Sequence, residues 1–138
     1  MKYFILEPEV SGELGTNTII DSNKHPPVIH KLHFVFTGWL GDDLIECFPC
    51  YLISERLKLA LENSNLSGFY VEECEIQDSE EMLELQPEIQ LSQFYWLKVE
   101  LNLNLDFYIN NESKLVITEK AYKLLQAFNL NYCDITPM

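Results

Sequence analysis

Short apolar bursts separated by polar segments run along most of the chain, a pattern that suits strands better than long helices. Lys2 to Leu6 predicts a first strand, ended by Glu7-Pro8. Residues 11–31 are rich in Gly, Ser, Asn and Pro; they predict irregular backbone with one short strand at Thr18-Ile19-Ile20. Pro26-Pro27 forbids helix there and holds the backbone extended. Leu32 to Phe36 predicts a strand with Leu32, Phe34 and Phe36 on one face and His33 and Val35 on the other. The glycine-flanked turn Gly38 to Asp43 is expected to present Trp39, Asp42 and Asp43. Leu44 to Phe48 and Tyr51 to Ile53 read as two short strands around Pro49.

Helical spacing follows. Ser54 is a good N-cap, Glu55 complements the helix dipole, and Leu57 and Leu61, with Ala60 beside them, form an apolar stripe. This helix is expected from Glu55 to about Asn63, before Ser67-Gly68 turns the chain into a strand over Phe69 to Ile76. Glu80 to Leu85 predicts a second, short helix stopped before Pro87, and Phe94 to Leu101 another strand. Asp106 to Ile109 and Leu115 to Ile117 flank the polar Asn110 to Ser113 turn and predict a hairpin. Thr118 then caps a last helix, Glu119 to Phe128, and Tyr132 to Ile135 closes with a strand. Leu57, Leu61, Leu124, Leu125 and Phe128 are the expected core positions of the two main helices.

Two stretches read alike. Leu52-Ile53-Ser54-Glu55-Arg56 leads through a helix to Asn65-Leu66 and on to Cys74-Glu75-Ile76. Val116-Ile117-Thr118-Glu119-Lys120 leads through a helix to Asn129-Leu130 and Cys133-Asp134-Ile135. Helix initiation after a strand accounts for the hydroxyl and the acid by itself, so the residues leave a duplication open. The expected architecture is one α+β domain over residues 1–138, a mostly antiparallel sheet covered by two main helices.

Charge sharpens the picture. Twenty-two acids stand against nine bases, a formal net charge of −13. From Leu59 to Leu97 there is no Lys or Arg, while Glu62, Glu72, Glu73, Glu75, Asp78, Glu80, Glu81, Glu84 and Glu88 all fall there. Such a field repels nucleic acid and anionic membrane and steers basic partners inward; the plain alternative is that it keeps the protein soluble. The opening residues are far short of a signal peptide and no apolar run approaches a membrane span, so a cytoplasmic protein is expected.

Candidate chemistry is sparse. Cys47-Phe48-Pro49-Cys50 has the spacing of zinc and redox motifs, but Cys74 and Cys133 stand singly and strand-like residues follow Cys50. The residues therefore read as reduced, buried thiols. His25, His30 and His33, with Asp42 and Asp43, match no standard metal-ligand spacing. No nucleophile elbow, phosphate-binding loop or HExxH occurs, and the single arginine, Arg56, argues against an arginine-based clamp. No catalytic residue, cofactor or metal is expected. Trp39, Tyr95 and Trp96 are core fillers, or interface anchors if a surface presents them.

Ser54-Glu55-Arg56-Leu57-Lys58 with Leu66-Ser67-Gly68-Phe69 resembles a recurrent element of immunity proteins from bacterial polymorphic-toxin systems, "SERL…AL…LTG(V/F)". Lys2 to Leu6 and Phe36 to Asp43 are similar too, and the likeness is best over residues 32–76. The resemblance implies a non-catalytic protein that binds and neutralises a cognate toxin, here a basic protein partner. Residues expected to face it are Trp39, Asp42, Asp43, Glu72, Glu73, Glu75, Asp78, Glu80, Glu81 and Glu84. The rival readings are a small-molecule or regulatory binding domain, an anionic mimic of nucleic acid, and an unrecognised enzyme.

Overall fold

A computed structural model describes residues 2–24, 27–85, 93–101 and 104–138. His25, Pro26, Pro87 and Glu88, named above, lie outside the described residues. The chain runs β1 (Tyr3–Glu7), β2 (Gly12–Leu14), β3 (Ile19–Asp21), β4 (Val28–Lys31), β5 (His33–Phe36), β6 (Leu44–Cys47) and β7 (Cys50–Ser54). Then follow α1 (Glu55–Glu62), β8 (Phe69–Glu72), β9 (Glu75–Asp78), α2 (Glu80–Leu85) and β10 (Phe94–Val99). The chain closes with β11 (Phe107–Ile109), β12 (Leu115–Thr118), α3 (Glu119–Leu125) and β13 (Asp134–Pro137). It is an α+β fold with antiparallel sheets, β5–β9 being a parallel pair.

Two four-stranded sheets organise it, in the orders β6-β7-β10-β8 and β11-β12-β1-β13. Alternation along β7 and β10 sends Tyr51, Ile53, Tyr95 and Leu97 to one core and Cys50, Leu52, Phe94 and Trp96 to another. The first core joins that sheet to Leu6, Phe107, Leu115 and Ile117 of the other, and takes Leu57, Leu61, Ala121 and Leu125 from α1 and α3. The second is closed by Phe34 and Phe36 of β5, Ile29 of β4 and Met82 of α2. Phe34, Phe36 and Phe94 meet edge to face there.

The two sheets share one plan. In each, a hairpin leads into a capped helix, and the strand leaving the helix pairs beyond an intervening strand. The registers agree as well. Leu52 opposes Trp96 and Ile45 in one sheet as Val116 opposes Ile5 and Tyr108 in the other. Leu97 opposes Val71 as Leu6 opposes Ile135. One constant offset in residue number relates Leu52 to Val116, Ser54 to Thr118 and Val71 to Ile135. The strand matching β13 is therefore β8, not the Cys74-Glu75-Ile76 segment that sequence similarity suggested. The expected single strand Phe69 to Ile76 breaks at Glu73-Cys74; Cys74 and Ile76 pack on the second core, carrying β9 into a separate sheet beside β5.

A carboxylate locks the starts of α1 and α3. Ser54 Oγ accepts from the Leu57 N–H at 3.4 Å and donates to Asp43 Oδ1 at 2.6 Å. Thr118 Oγ1 accepts from the Ala121 N–H at 3.3 Å and donates to Asp106 Oδ1 at 2.8 Å. Each aspartate also takes an N–H from the segment after the opposite helix: Asp43 from Asn129 at 2.7 Å, Asp106 from Ser67 at 3.0 Å. Helix α3 stops at Leu125, earlier than the expected Phe128, because Ala127 and Phe128 donate to the carbonyls three residues back and tighten the last turn. Leu57, Leu61 and Leu125 are buried; Leu124 and Phe128 only lean on the core's edge.

Gly68 makes this closure possible. Its φ is +97°, and a Cβ there would lie 2.0 Å from the Phe107 carbonyl oxygen. Gly41, at φ +111°, has nothing within 4 Å of such an atom. Gly41→Ala should therefore cost about 1 kcal/mol of stability from backbone conformation alone. Gly68→Ala should cost roughly 3 kcal/mol, because the collision adds to the conformational term. Chemical denaturation of both variants measures the difference; equal losses would show that the close approach to Phe107 carries no weight.

Candidate functional site

The acidic residues singled out in sequence divide into two groups with opposite environments. Glu72, Glu73, Glu75, Asp78, Glu80, Glu81 and Glu84 are all exposed. Glu72 ends the edge strand β8, Glu73 follows it, Glu75 and Asp78 bound the edge strand β9, and Glu80, Glu81 and Glu84 lie on α2. Two have partners: Glu72 lies 3.5 Å from Lys98 Nζ, and Glu75 accepts from the Asn17 amide and lies 3.5 Å from His33 Nε2. Glu73, Asp78, Glu80, Glu81 and Glu84 make no ion pair among the described residues. In α2, Glu80 and Glu81 occupy the first turn, where negative charge is stabilising.

The Trp39 to Asp43 turn does the reverse of what its sequence suggested. Asp42 is 0% and Asp43 3% exposed, so neither carboxylate is presented to a partner. Asp42 accepts the N–H groups of Asn131 at 3.0 Å and Tyr132 at 2.8 Å. Asp43 accepts Ser54 Oγ, the Asn129 N–H and a bidentate pair from Arg56, Nε at 2.8 Å and Nη2 at 2.5 Å. The one arginine is thus a clamp after all, but on an internal carboxylate. Trp39 is half-buried: its ring meets Phe94 edge to face at 5.6 Å, and Nε1 donates to the Asp42 carbonyl at 2.9 Å. Burial of the turn follows from this demand for donors. The N–H groups of Asn129, Asn131 and Tyr132 and the Arg56 guanidinium replace the water that two adjacent carboxylates would otherwise need.

Glu9, which sequence reading passed over, completes the cluster. It is 5% exposed, accepts the Leu40 N–H at 2.8 Å and the Asp42 N–H at 3.3 Å, and is bonded by the Ser11 hydroxyl. A lone glutamate after Pro8 carries no local signal of burial. Asp106 likewise reads in sequence only as the start of a strand; its position shortly before Thr118, matching Asp43 before Ser54, is the signal that identifies it.

Electrostatics separates the two neighbouring aspartates. For Asp42, burial raises the pKa; the Tyr132 and Asn131 N–H groups oppose this, but the charges of Glu9 and Asp43 add to it, and the net shift is upward. For Asp43, burial also pushes upward, yet the hydrogen bonds from Arg56, Ser54 and Asn129 and the Arg56 charge outweigh it, leaving a lowered pKa.

The remaining candidates resolve into structural roles. His30 is exposed on β4, while His33 is 3% exposed on β5. His33 Nδ1 accepts the Asn17 N–H at 3.2 Å, which places the proton on Nε2, 2.9 Å from Gln77 Oε1. Cys47 and Cys50 face each other across the β6–β7 hairpin, at a strand end and a strand start. Burial pushes their thiols up to about 11 and about 12, which opposes thiolate chemistry at neutral pH. No group of three or more His, Cys, Asp or Glu side chains is placed to hold a metal ion among the described residues. No helix is long and apolar enough to cross a membrane among them.

No protein family, curated protein or solved structure matches this chain.

The aspartate pair should be visible by titration. Carboxyl-carbon NMR should place the Asp42 midpoint above, and that of Asp43 below, the ordinary value of about 3.9. The signs in stability are opposite. Asp42, raised on folding, costs stability at neutral pH, and that cost is relieved as pH falls through its raised midpoint. Asp43, lowered on folding, contributes stability above about pH 4 that is lost as pH falls through its folded midpoint. Coincident midpoints would contradict the assigned environments.

Proposed function

We propose that the protein is an immunity protein, non-catalytic and cytoplasmic, that binds and neutralises a cognate bacterial toxin presenting a basic surface. The observation that carries this reading is the exposure of Glu72, Glu73, Glu75, Asp78, Glu80, Glu81 and Glu84 on a stretch of chain with no base. Exposed carboxylates on sheet edges and a short helix, most of them without an ion pair among the described residues, raise the local concentration of a basic partner and speed its encounter. The likeness of the Ser54 to Phe69 element to polymorphic-toxin immunity proteins supplies the class of partner. Asp42 and Asp43 take no part in docking, being occupied internally. In the fold, we read the two strand–helix–strand segments as a duplicated element with each helix covering its sheet; the matched registers and caps support this.

A second reading, a small-molecule or regulatory binding domain, draws support from a cavity of about 340 Å³ beside the β6–β7 hairpin.

The decisive experiment measures binding kinetics against the protein encoded beside this gene, or the protein that co-purifies from the native host, at two salt concentrations. Combined Glu72→Gln, Glu73→Gln, Asp78→Asn, Glu80→Gln and Glu81→Gln substitutions should slow association about tenfold at low salt and flatten its salt dependence. Dissociation should change little. Unchanged association would discard this surface as the docking site. If no such protein binds, and the host survives loss of this gene with the neighbouring gene intact, the immunity reading itself fails.

A further inference from the structure

Away from the acidic surface, two cavities adjoin at the tip of the β6–β7 hairpin. One, of about 340 Å³, is walled by Trp96, Tyr51, Val99 and Ile109; the other is about 290 Å³. Phe48, Tyr51 and Ser113 line both, so they are two compartments of one cleft. Their charges differ in sign. Lys24 and Lys98 line the first, whereas Glu7, Glu46 and Glu112 line the second with the single base Lys114.

Three of these charges are already engaged. Lys98 Nζ sits 4.4 Å from the Trp96 ring centroid and 3.5 Å from Glu72, and Lys114 lies 2.8 Å from Glu7. Glu46 is the half-buried group among the others. It lies on β6, and its carboxylate has no hydrogen bond or ion pair among the described residues. Burial, and then the charge of Glu7, raises its pKa, so an added cation would relieve an existing cost.

We propose that this cleft binds a peptide segment carrying an aromatic or large aliphatic side chain next to a lysine or arginine. The apolar group fills the first compartment, and the cation meets Glu46 in the second. The lysines fix the direction, because they repel a cation from the apolar compartment. A peptide fits better than an enclosed small ligand: the cleft is open, and Phe48 and Leu101 at its lips are 49% and 66% exposed. Those lips offer apolar contact to a backbone passing over the hairpin, where a small ligand would want burial on most sides. This site goes beyond the acidic docking surface and does not depend on it.

The test is NMR titration of the full-length chain with N-acetyl-Phe-Lys-amide, N-acetyl-Phe-Glu-amide and phenethylamine. The Phe-Lys peptide should shift the amides of Glu46, Phe48 and Tyr51 saturably, and the Phe-Glu peptide should bind at least several-fold more weakly. Glu46→Gln should weaken the Phe-Lys peptide roughly fivefold, about the worth of one partly exposed ion pair, and leave the Phe-Glu peptide unaffected. Glu112→Gln, at an exposed wall of the same compartment, should weaken it less, and the distant Glu84→Gln not at all. Absence of saturable shifts, or equal affinity for the two peptides, overturns the proposal. Equal weakening by Glu84→Gln reduces the preference to net charge and overturns it too. Phenethylamine binding as tightly as the Phe-Lys peptide assigns the cleft to small amines and rejects the peptide.

Discussion

Helices α1 and α3 each begin where a buried or half-buried aspartate receives the hydroxyl of the capping residue, and the rest of the structure hangs on those two contacts. Asp43 holds Ser54, and Asp106 holds Thr118. A cap hydroxyl ordinarily satisfies one N–H of a helix's first turn. Here its own proton is also used, so the start of the helix is tied to the residue just before the hairpin's first strand. The second oxygen of each aspartate then reaches across the molecule: Asp43 takes the N–H of Asn129, and Asp106 takes that of Ser67. The exit of each helix is thereby fixed by the entry of the other.

Strand exchange follows the same reciprocity. Viewed as two successive runs of strand, hairpin, helix and strand, the chain places β1 between β12 and β13 and β10 between β7 and β8. Each run completes its sheet with a strand from the other. Neither sheet can form from one half alone, which couples the halves into one cooperative core. What differs between them is the outer layer. The β7–β10 sheet carries a second core, closed by β4, β5 and α2, and the same insertions place the acidic edge strand β9 and the acidic α2 on the surface.

Polar groups sort by the donors available to them. Glu9, Asp42 and Asp43 are buried because backbone N–H groups, Ser11, Ser54 and Arg56 converge on them. Glu73, Asp78, Glu80, Glu81 and Glu84 have no such donors among the described residues and remain in water. A net charge of −13 therefore does not spread evenly over function. Part of it is consumed as internal hydrogen-bond acceptors, and part is left exposed as a field. Glu46, unpaired among the described residues, lies between these extremes, half-buried and without the donors that its buried neighbours have.

The amino-acid sequence by itself determined the local elements. Ser54 and Thr118 as caps, α1 and its Leu57 and Leu61 stripe, the β11–β12 hairpin, and the alternation that buries Leu32, Phe34 and Phe36 all depend on residues a few positions apart. The exposure of the acids from Glu72 to Glu84 was legible too, since a run of carboxylates without bases has no local means of burial. Only the tertiary structure decided that Asp42 and Asp43 turn inward, that Glu9 joins them, and that Phe69 to Asp78 divides between two sheets. Those outcomes depend on partners far along the chain. The N–H groups that satisfy Asp42 come from Asn131 and Tyr132, and the sheet that receives β9 is built by residues before Thr37. Propensity and periodicity act over a turn of helix or a few strand residues, whereas the burial of a charge is decided by whichever donors the completed fold brings to it.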